Sequence, residues 1–182
     1  MEGNGTELGS SDGKLYQLKA LARATGHTNS VNAICFSHSG KRPFLVSVST
    51  DTTIKLWSLT ELDQDANDEV NLENVGKLSC SSTLVAHGKD VNCVDVSLTD
   101  SVCISGGMDK LVKLWHVDPA KMRLGIAGTL TGHRRGVADA RFSPTSLVID
   151  FFSLDSKTLI FPLTVNLIDV THHCWTWFSI IL

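Results

Sequence analysis

Apolar and β-branched residues occur along this chain in short runs that are separated by turns rich in Gly, Asp, Ser and Pro. Runs of this length and composition, separated by such turns, predict β-strands. In the first part of the chain they predict an outer strand at residues 15–24 and then three consecutive strands, at residues 31–36, 44–49 and 54–59. The segments between them, 37–43 and 50–53, have the composition of tight turns.

The same order of strands then recurs. Further strands are predicted at residues 81–85, 91–96, 102–105, 111–117 and 125–130. Residues 46–59 read VSVSTDTTIKLWSL, and residues 104–117 repeat this pattern as ISGGMDKLVKLWHV. Each phrase follows a segment headed by histidine, GHTNSVNAICFS or AHGKDVNCVDVS. A repeated unit of four short strands predicts an all-β fold of antiparallel sheets, one for each repeat.

The repeat resembles the WD-repeat (WD40) family, whose signature is a Gly-His turn, a Ser or Thr in the second strand, an Asp in the next turn and a Trp in the third strand. This resemblance implies β-propeller blades, two of them complete and a third partial or degenerate. It also implies a structural tetrad of side chains, at His27, Ser49, Asp51 and Trp57 in the first unit and at His87, Asp109 and Trp115 in the second.

The tetrad has a physical purpose. An indole N–H only donates, whereas a hydroxyl and an imidazole both donate and accept, so the side chains form a relay of buried hydrogen bonds. Gly107 stands in the second unit where Ser49 stands in the first. A broken or water-bridged relay is therefore predicted in the second unit.

A third unit opens at His133 with the phrase GHRRGVADARFSP. By spacing, Ser153, Asp155 and Phe161 fall at the positions of the hydroxyl, the carboxylate and the indole. From Leu147 onward, however, the composition becomes apolar and aromatic. Residues 146–182 are thus either a degenerate third blade or a hydrophobic tail foreign to the repeat, and the residues alone favour neither.

Outside the repeats, residues 1–14 are rich in Gly, Ser and acidic side chains and predict a disordered lead-in to the repeat region at 15–145. Residues 60–77 form an acidic insertion, either a solubilising loop, which is favoured, or a docking segment for a basic partner. The N-terminus lacks the features of a signal peptide, and no apolar run has the length of a membrane span. Five cysteines without a CxxC pair argue against a disulfide framework and favour a reducing compartment.

Catalysis is not expected. A Ser, His and Asp in one unit also suit a hydrolase triad, but their recurrence beside a Trp favours a structural network. The sequence shows no Gly-rich phosphate loop, paired-carboxylate motif or HExxH element, so no cofactor is expected either. The adjacent residues His172, His173 and Cys174 suit a metal by type, but no second pair of metal-binding residues accompanies them as a zinc site needs. No metal is therefore expected.

Arg134 and Arg135, directly after His133, are candidates for contact with an acidic partner or RNA phosphate. Solvated surface charge is the alternative interpretation and is favoured. The formal net charge of −3 argues separately against a general surface for polyanions.

The phrases GHTNSVNAICFS, AHGKDVNCVDVS and LTGHRRGVADARFSP resemble, in this order, the middle repeats of nucleolar, transducin-beta-like WD proteins of the U3 small nucleolar ribonucleoprotein. This resemblance implies a scaffold for protein–protein and ribonucleoprotein assembly in pre-rRNA processing and small-subunit biogenesis. Its partners would be other proteins of the complex, with U3 RNA and pre-rRNA contacted indirectly, and neither a membrane nor a small-molecule substrate.

The alternatives are a WD adaptor of another complex, in ubiquitin ligation or signalling and in the cytoplasm, or a truncated product without function. Two or three blades form an open arc with unpaired strand edges. We therefore expect this polypeptide to be unstable alone.

Overall fold

In a computed structural model, the residues that the structure describes are 7–9, 15–17, 22–60, 62, 76–143, 148–153 and 158–162. All regular secondary structure among them is β-strand. In chain order the strands are β1 Glu7–Gly9, β2 Leu15–Gln17, β3 Ala22–Ala24, β4 Val31–Phe36, β5 Phe44–Ser49, β6 Thr53–Ser58, β7 Gly76–Leu78, β8 Cys80–Val85, β9 Val91–Val96, β10 Val102–Gly107, β11 Val112–Asp118, β12 Arg123–Leu130, β13 Val137–Phe142, β14 Val148–Ser153 and β15 Thr158–Pro162. Among these residues no helix is present that would be able to span a membrane.

The strands form three successive antiparallel sheets. The first has the order β4-β5-β6-β8, the second β12-β11-β10-β9, and the third is the three-stranded β13-β14-β15. Within the second and third sheets the strands are joined by short turns as hairpins, whereas β6 and β8 of the first sheet are joined through residues 59–79, which contain β7. The predicted fold class, all-β with two complete blades and a partial third, is confirmed.

Strands β4, β5 and β9 begin and end where the alternation of residues predicts. Of the other predicted ends, some match and the rest differ by one or two residues. Strand β10, for example, continues to Gly107, because a bulge at Gly106 and Gly107 lets the latter pair with Val91.

The segment before the first sheet differs from its prediction. Residues 15–24 were expected to hold one outer strand, yet they contain β2 and β3. Strand β2 pairs with β1, so Glu7–Gly9 forms a strand in a region, residues 1–14, that was predicted to be disordered. Strand β3 pairs in parallel with β7, whose first two residues, Gly76 and Lys77, lie at the end of the predicted acidic insertion. Of that insertion, residues 61 and 63–75 lie outside the described part of the chain.

The third sheet has the arrangement that the degenerate-blade interpretation predicts, as far as Pro162. Residues 163–182, the remainder of the alternative tail, lie outside the described residues.

The sheets stack face to face, and the hydrophobic core lies between them. Between the first and second sheets the buried apolar side chains include those of Phe44, Val46, Val48, Ile54, Leu56, Val91, Val94 and Val96. Between the second and third sheets they are those of Cys93, Ile104, Val112, Leu114, Val137 and Ala140. A sheet is therefore apolar on both faces wherever it has neighbours on both sides.

Polar side chains also tie neighbouring sheets together. Asn32 Nδ2 donates to the carbonyl oxygen of Val91 at 2.8 Å, and Asn92 Nδ2 donates to that of Val137 at 2.7 Å. The two asparagines occupy the same place in successive repeats, the second residue of the inner strand. These bonds fix each inner strand relative to the next.

Candidate functional site

In the first sheet a directed chain of hydrogen bonds joins the third strand to the loop before β4. Trp57 Nε1 donates to Ser47 Oγ at 2.9 Å, and Ser47 Oγ lies 2.8 Å from His27 Nε2. His27 Nδ1 lies 2.9 Å from Asp51 Oδ2. A carboxylate only accepts, so the imidazole carries its proton on Nδ1, and Nε2 accepts the hydroxyl proton of Ser47. Thr53 Oγ1 completes the network by donating to Asp51 Oδ1 at 2.6 Å.

The second sheet contains the same chain of bonds. Trp115 Nε1 donates to Ser105 Oγ at 2.9 Å, and Ser105 Oγ lies 2.8 Å from His87 Nε2. His87 Nδ1 lies 2.8 Å from Asp109 Oδ1. The prediction of a broken relay in this sheet, drawn from Gly107, is therefore wrong.

Ser49 was predicted as the hydroxyl of the first relay, and this is also wrong. Its Oγ accepts a hydrogen bond from Asp51 N at 3.0 Å and donates to Asn29 O at 3.3 Å. Ser47 and Ser49 lie on one face of β5, but Ser49 is two residues, roughly 7 Å, farther along the strand. Ser49 therefore forms hydrogen bonds within the turn, whereas the hydroxyl of Ser47 accepts the hydrogen bond from the indole N–H.

Sequence reasoning thus missed Ser47 and Ser105, although one signal marks both. Each lies ten residues before the tryptophan to which it is bonded. They are also the hydroxyl position that both repeats share, whereas the position of Ser49 holds Gly107 in the second repeat.

Burial decides the protonation of the relay. Burial lowers the pKa of His87 below its usual value, and the hydrogen bond to Asp109 only partly opposes this. Burial alone would raise the pKa of Asp51, but hydrogen bonds from the Thr53 hydroxyl, the Thr28 N–H and His27 hold it well below its usual range. The pKa of Asp109 is also lowered, because hydrogen bonds from the Gly88 N–H and from His87 outweigh the effect of burial, so the second relay joins a neutral His87 imidazole to an ionised carboxylate.

This arrangement suits structure better than catalysis. A nucleophilic hydroxyl has to reach a substrate, with a base free to take its proton. Ser47 is 4% exposed and Ser105 is fully buried, and each accepts an indole N–H. Both relays hold a loop and a turn against the third strand of a sheet.

The third unit carries His133 in the loop before β13, as His87 precedes β9. In register, Phe151 pairs with Ala140 as Ser105 pairs with Val94, and Phe161 occupies the position of the tryptophans. Ser153 pairs with Val137, which is the position of Ser49 and not that of the relay hydroxyl. Asp155 lies outside the described residues. Phenylalanine thus replaces both the hydroxyl and the indole in this sheet.

Arg134 and Arg135 are exposed in the loop between His133 and β13. The described residues include no group of three or more side chains suited to hold a metal ion. His172, His173 and Cys174 lie outside the part of the chain that the structure describes.

Comparison with known proteins places both relays in matched repeats. The profile of the family "WD domain, G-beta repeat" matches residues 18–58 and 78–116. Transducin beta-like protein 3 of Rattus norvegicus is 36% identical over 124 residues, which is 68% of this chain and 15% of that protein. U3 small nucleolar RNA-associated protein 13 of Saccharomyces cerevisiae is 31% identical over 121 residues, 65% of this chain and 14% of that protein.

Elongator complex protein 2 of Dictyostelium discoideum is 31% identical over 129 residues, 70% of this chain and 13% of that protein. The chain thus spans between 13% and 15% of the length of these three relatives.

Proposed function

Because the chain carries two G-beta repeats and belongs to the WD-repeat family, we propose that it is an assembly scaffold of a ribonucleoprotein. The process would be U3-dependent pre-rRNA processing and biogenesis of the small ribosomal subunit. One observation supports a scaffold: in the first two sheets the polar residues of the signature form their hydrogen bonds within the protein. Their hydrogen bonds are made to one another, which leaves binding to the exposed loops.

The ribonucleoprotein part of the proposal rests on similarity. The yeast relative is by its name associated with U3 small nucleolar RNA, and its alignment extends over 65% of this chain. The expected location is accordingly the nucleus and the nucleolus. The expected partners are other proteins of the complex, with Arg134 and Arg135 among the contacts.

A second candidate is an adaptor in another complex. Elongator complex protein 2 has the same 31% identity as the yeast U3-associated protein, over a slightly longer stretch. WD blades are shared by many assemblies, so the fold itself favours neither complex.

A crosslinked pull-down of the tagged chain from growing cells tests both candidates. U3 RNA and proteins of its particle should be enriched with the wild-type chain. The matched control is Ile104→Asp, which places a charge at a fully buried position and should abolish the enrichment. Recovery of Elongator subunits instead would favour the adaptor. Recovery of chaperones alone would overturn both functions.

A further inference from the structure

The two complete repeats differ in the loops at the end of the sheets that carries His27 and His87. We call this end the loop face, formed by residues 28–30, 50–52, 88–90, 108–110 and 134–136. Lys89 stands in the second repeat where Asn29 stands in the first, and Lys110 where Thr52 stands. Lys110 and Thr52 have the same left-handed backbone conformation, with φ of 73° and 69°, so the two turns differ at this position only in the side chain.

The basic loops of the second and third units adjoin at Met108. The backbone N–H of Met108 donates to Asp90 O at 2.8 Å, which joins the loop of Lys89 to the turn of Lys110. On the other side, a Cβ at Gly136 would lie 3.1 Å from Met108 Cα and 2.7 Å from its Sδ. A side chain at position 136 would crowd Met108, and the close approach of Gly136 brings the loop of the third unit against the same methionine.

Positive charge dominates this part of the loop face. Its exposed basic side chains are Lys89, Lys110, Arg134 and Arg135. Asp90 is the exposed acidic residue among them, since the Asp109 carboxylate is held by His87 and by the Gly88 N–H at 3.0 Å. Although the whole chain has a net charge of −3, this basic surface attracts negatively charged groups.

The apolar part of the surface favours a peptide over RNA. Met108 is 38% exposed between the basic loops, and a flexible thioether adapts to different apolar side chains. Single-stranded RNA is usually held by bases stacked on aromatic rings. Residues 88–90, 108–110 and 134–136 contain no Phe, Tyr or Trp, and Trp57 and Trp115 are buried.

We propose that this surface, comprising Met108, Lys89, Lys110, Arg134 and Arg135, binds an acidic peptide segment that carries an apolar side chain. The basic groups contact the carboxylates, and Met108 contacts the apolar side chain. The proposal rests on the proposed scaffold function and names the chemistry of the partner.

The test is fluorescence anisotropy with the purified full chain and three labelled probes. These are an acidic peptide with a central leucine, the same peptide with serine in place of the leucine, and an oligouridylate of equal charge. We expect the leucine peptide to bind most tightly, and binding to weaken as salt is added. Met108→Thr, which copies Thr50 of the first repeat, should remove the preference for leucine over serine.

The paired variant Lys89→Asn/Lys110→Thr copies the first repeat and should weaken binding of the leucine peptide by about tenfold. Its matched control, Asn29→Gln/Thr52→Asn in the first repeat, should leave binding unchanged. Tryptophan fluorescence checks that every variant retains its fold. Equal losses in both pairs, or tighter binding of the oligouridylate, would overturn the proposal.

This test is independent of the pull-down described above. Loss of peptide binding with U3 RNA still recovered would overturn only the peptide surface. Peptide binding without recovery of U3 RNA would overturn only the assignment to that particle.

Discussion

One serine hydroxyl in each of the first two sheets connects an indole to an imidazole. Each hydrogen bond of such a relay contributes about 1 kcal/mol net, but a buried group left without its partner costs about 1–3 kcal/mol. Ser105 and His87 are both buried, with at most 2% of either residue exposed to solvent. The relay is therefore sensitive to small changes in the space around the imidazole.

Gly107→Ser tests this sensitivity. The sequence suggests that a serine there would restore the pattern of the first repeat. In the structure an added Cβ would lie 2.6 Å from His87 Nδ1 and 2.9 Å from Asp109 Oδ1. We expect the variant to lower the free energy of unfolding by about 1–3 kcal/mol, as measured by urea denaturation.

The control for this variant is Gly125→Ser in the same sheet, where an added Cβ meets nothing within 4 Å. It should change stability by less than about 0.5 kcal/mol. A Gly107→Ser chain more stable than the wild type would contradict the geometry of the relay.

His87 should make the fold sensitive to acid. Burial lowers its pKa in the folded chain below the ordinary value of 6.5. As the pH falls through that value the unfolded chain takes up a proton that the folded chain resists, so stability decreases toward acid. The expected slope approaches at most about 1.4 kcal/mol per pH unit.

The measurement is the free energy of unfolding at several pH values between about 7.5 and 5.5, around the ordinary histidine pKa. His87→Gln removes the titrating group and should flatten the slope, although it lowers stability throughout. His116→Gln, at an exposed position of β11, is the control. An unchanged slope in the His87 variant would show that this imidazole does not control the acid sensitivity.

At the scale of elements, the carboxylate of Asp100 joins two sheets. The residue lies in the turn between β9 and β10 and is 5% exposed. Its two oxygens accept the N–H groups of His38 at 2.8 Å and Ser39 at 2.7 Å, in the turn that follows β4. The turn of one sheet is thus capped by a side chain from the next.

Asp100→Asn should loosen this junction. An amide offers one acceptor oxygen for two N–H groups, and asparagine tolerates the left-handed backbone at this position, where φ is 58°. We expect a loss of about 1 kcal/mol in stability and faster amide hydrogen exchange at His38 and Ser39.

Asp118→Asn is the matched control. Asp118 also accepts two N–H bonds, from Ala120 and Lys121 at 3.0 Å each, but within its own turn. It should leave exchange at His38 unchanged. If Asp100→Asn also left it unchanged, the capping of one sheet by the next would be refuted.

At the scale of the whole molecule, equivalent strands have unequal surroundings. Val91, Val94 and Val96 of β9 are at most 1% exposed against the first sheet. Their counterparts in β4, Val31, Ile34 and Phe36, are 51%, 54% and 56% exposed. The repeat therefore presents, on its first sheet, an apolar face that is buried in the second.

We expect the 182-residue polypeptide, purified alone, to associate as its concentration rises, because exposed apolar faces and strand edges pair with other chains. Sedimentation velocity measures this. The double variant Ile34→Asp/Phe36→Asp should reduce association, whereas Val85→Asp/Ile126→Asp, at two other exposed apolar positions, should not. A monodisperse monomer with cooperative thermal unfolding would disprove the expected instability.

The sequence by itself determined what depends on near neighbours and on repetition. The limits of β4, β5 and β9 follow from runs of apolar residues that end in turns, and the recurrence of His, Asp and Trp indicates the family of the fold. Local composition carries this information because a strand and its turn are specified within a few residues.

The tertiary structure decided what depends on register and on stacking. Which serine reaches the indole depends on how β5 lies against β6, and a shift of two residues selects Ser47 over Ser49. The parallel pair of β3 and β7 joins residues before the acidic insertion to residues at its end. The approach of Gly136 to Met108 requires two sheets to be packed together. Such contacts join residues distant in the chain, and side-chain identity alone does not fix their distances.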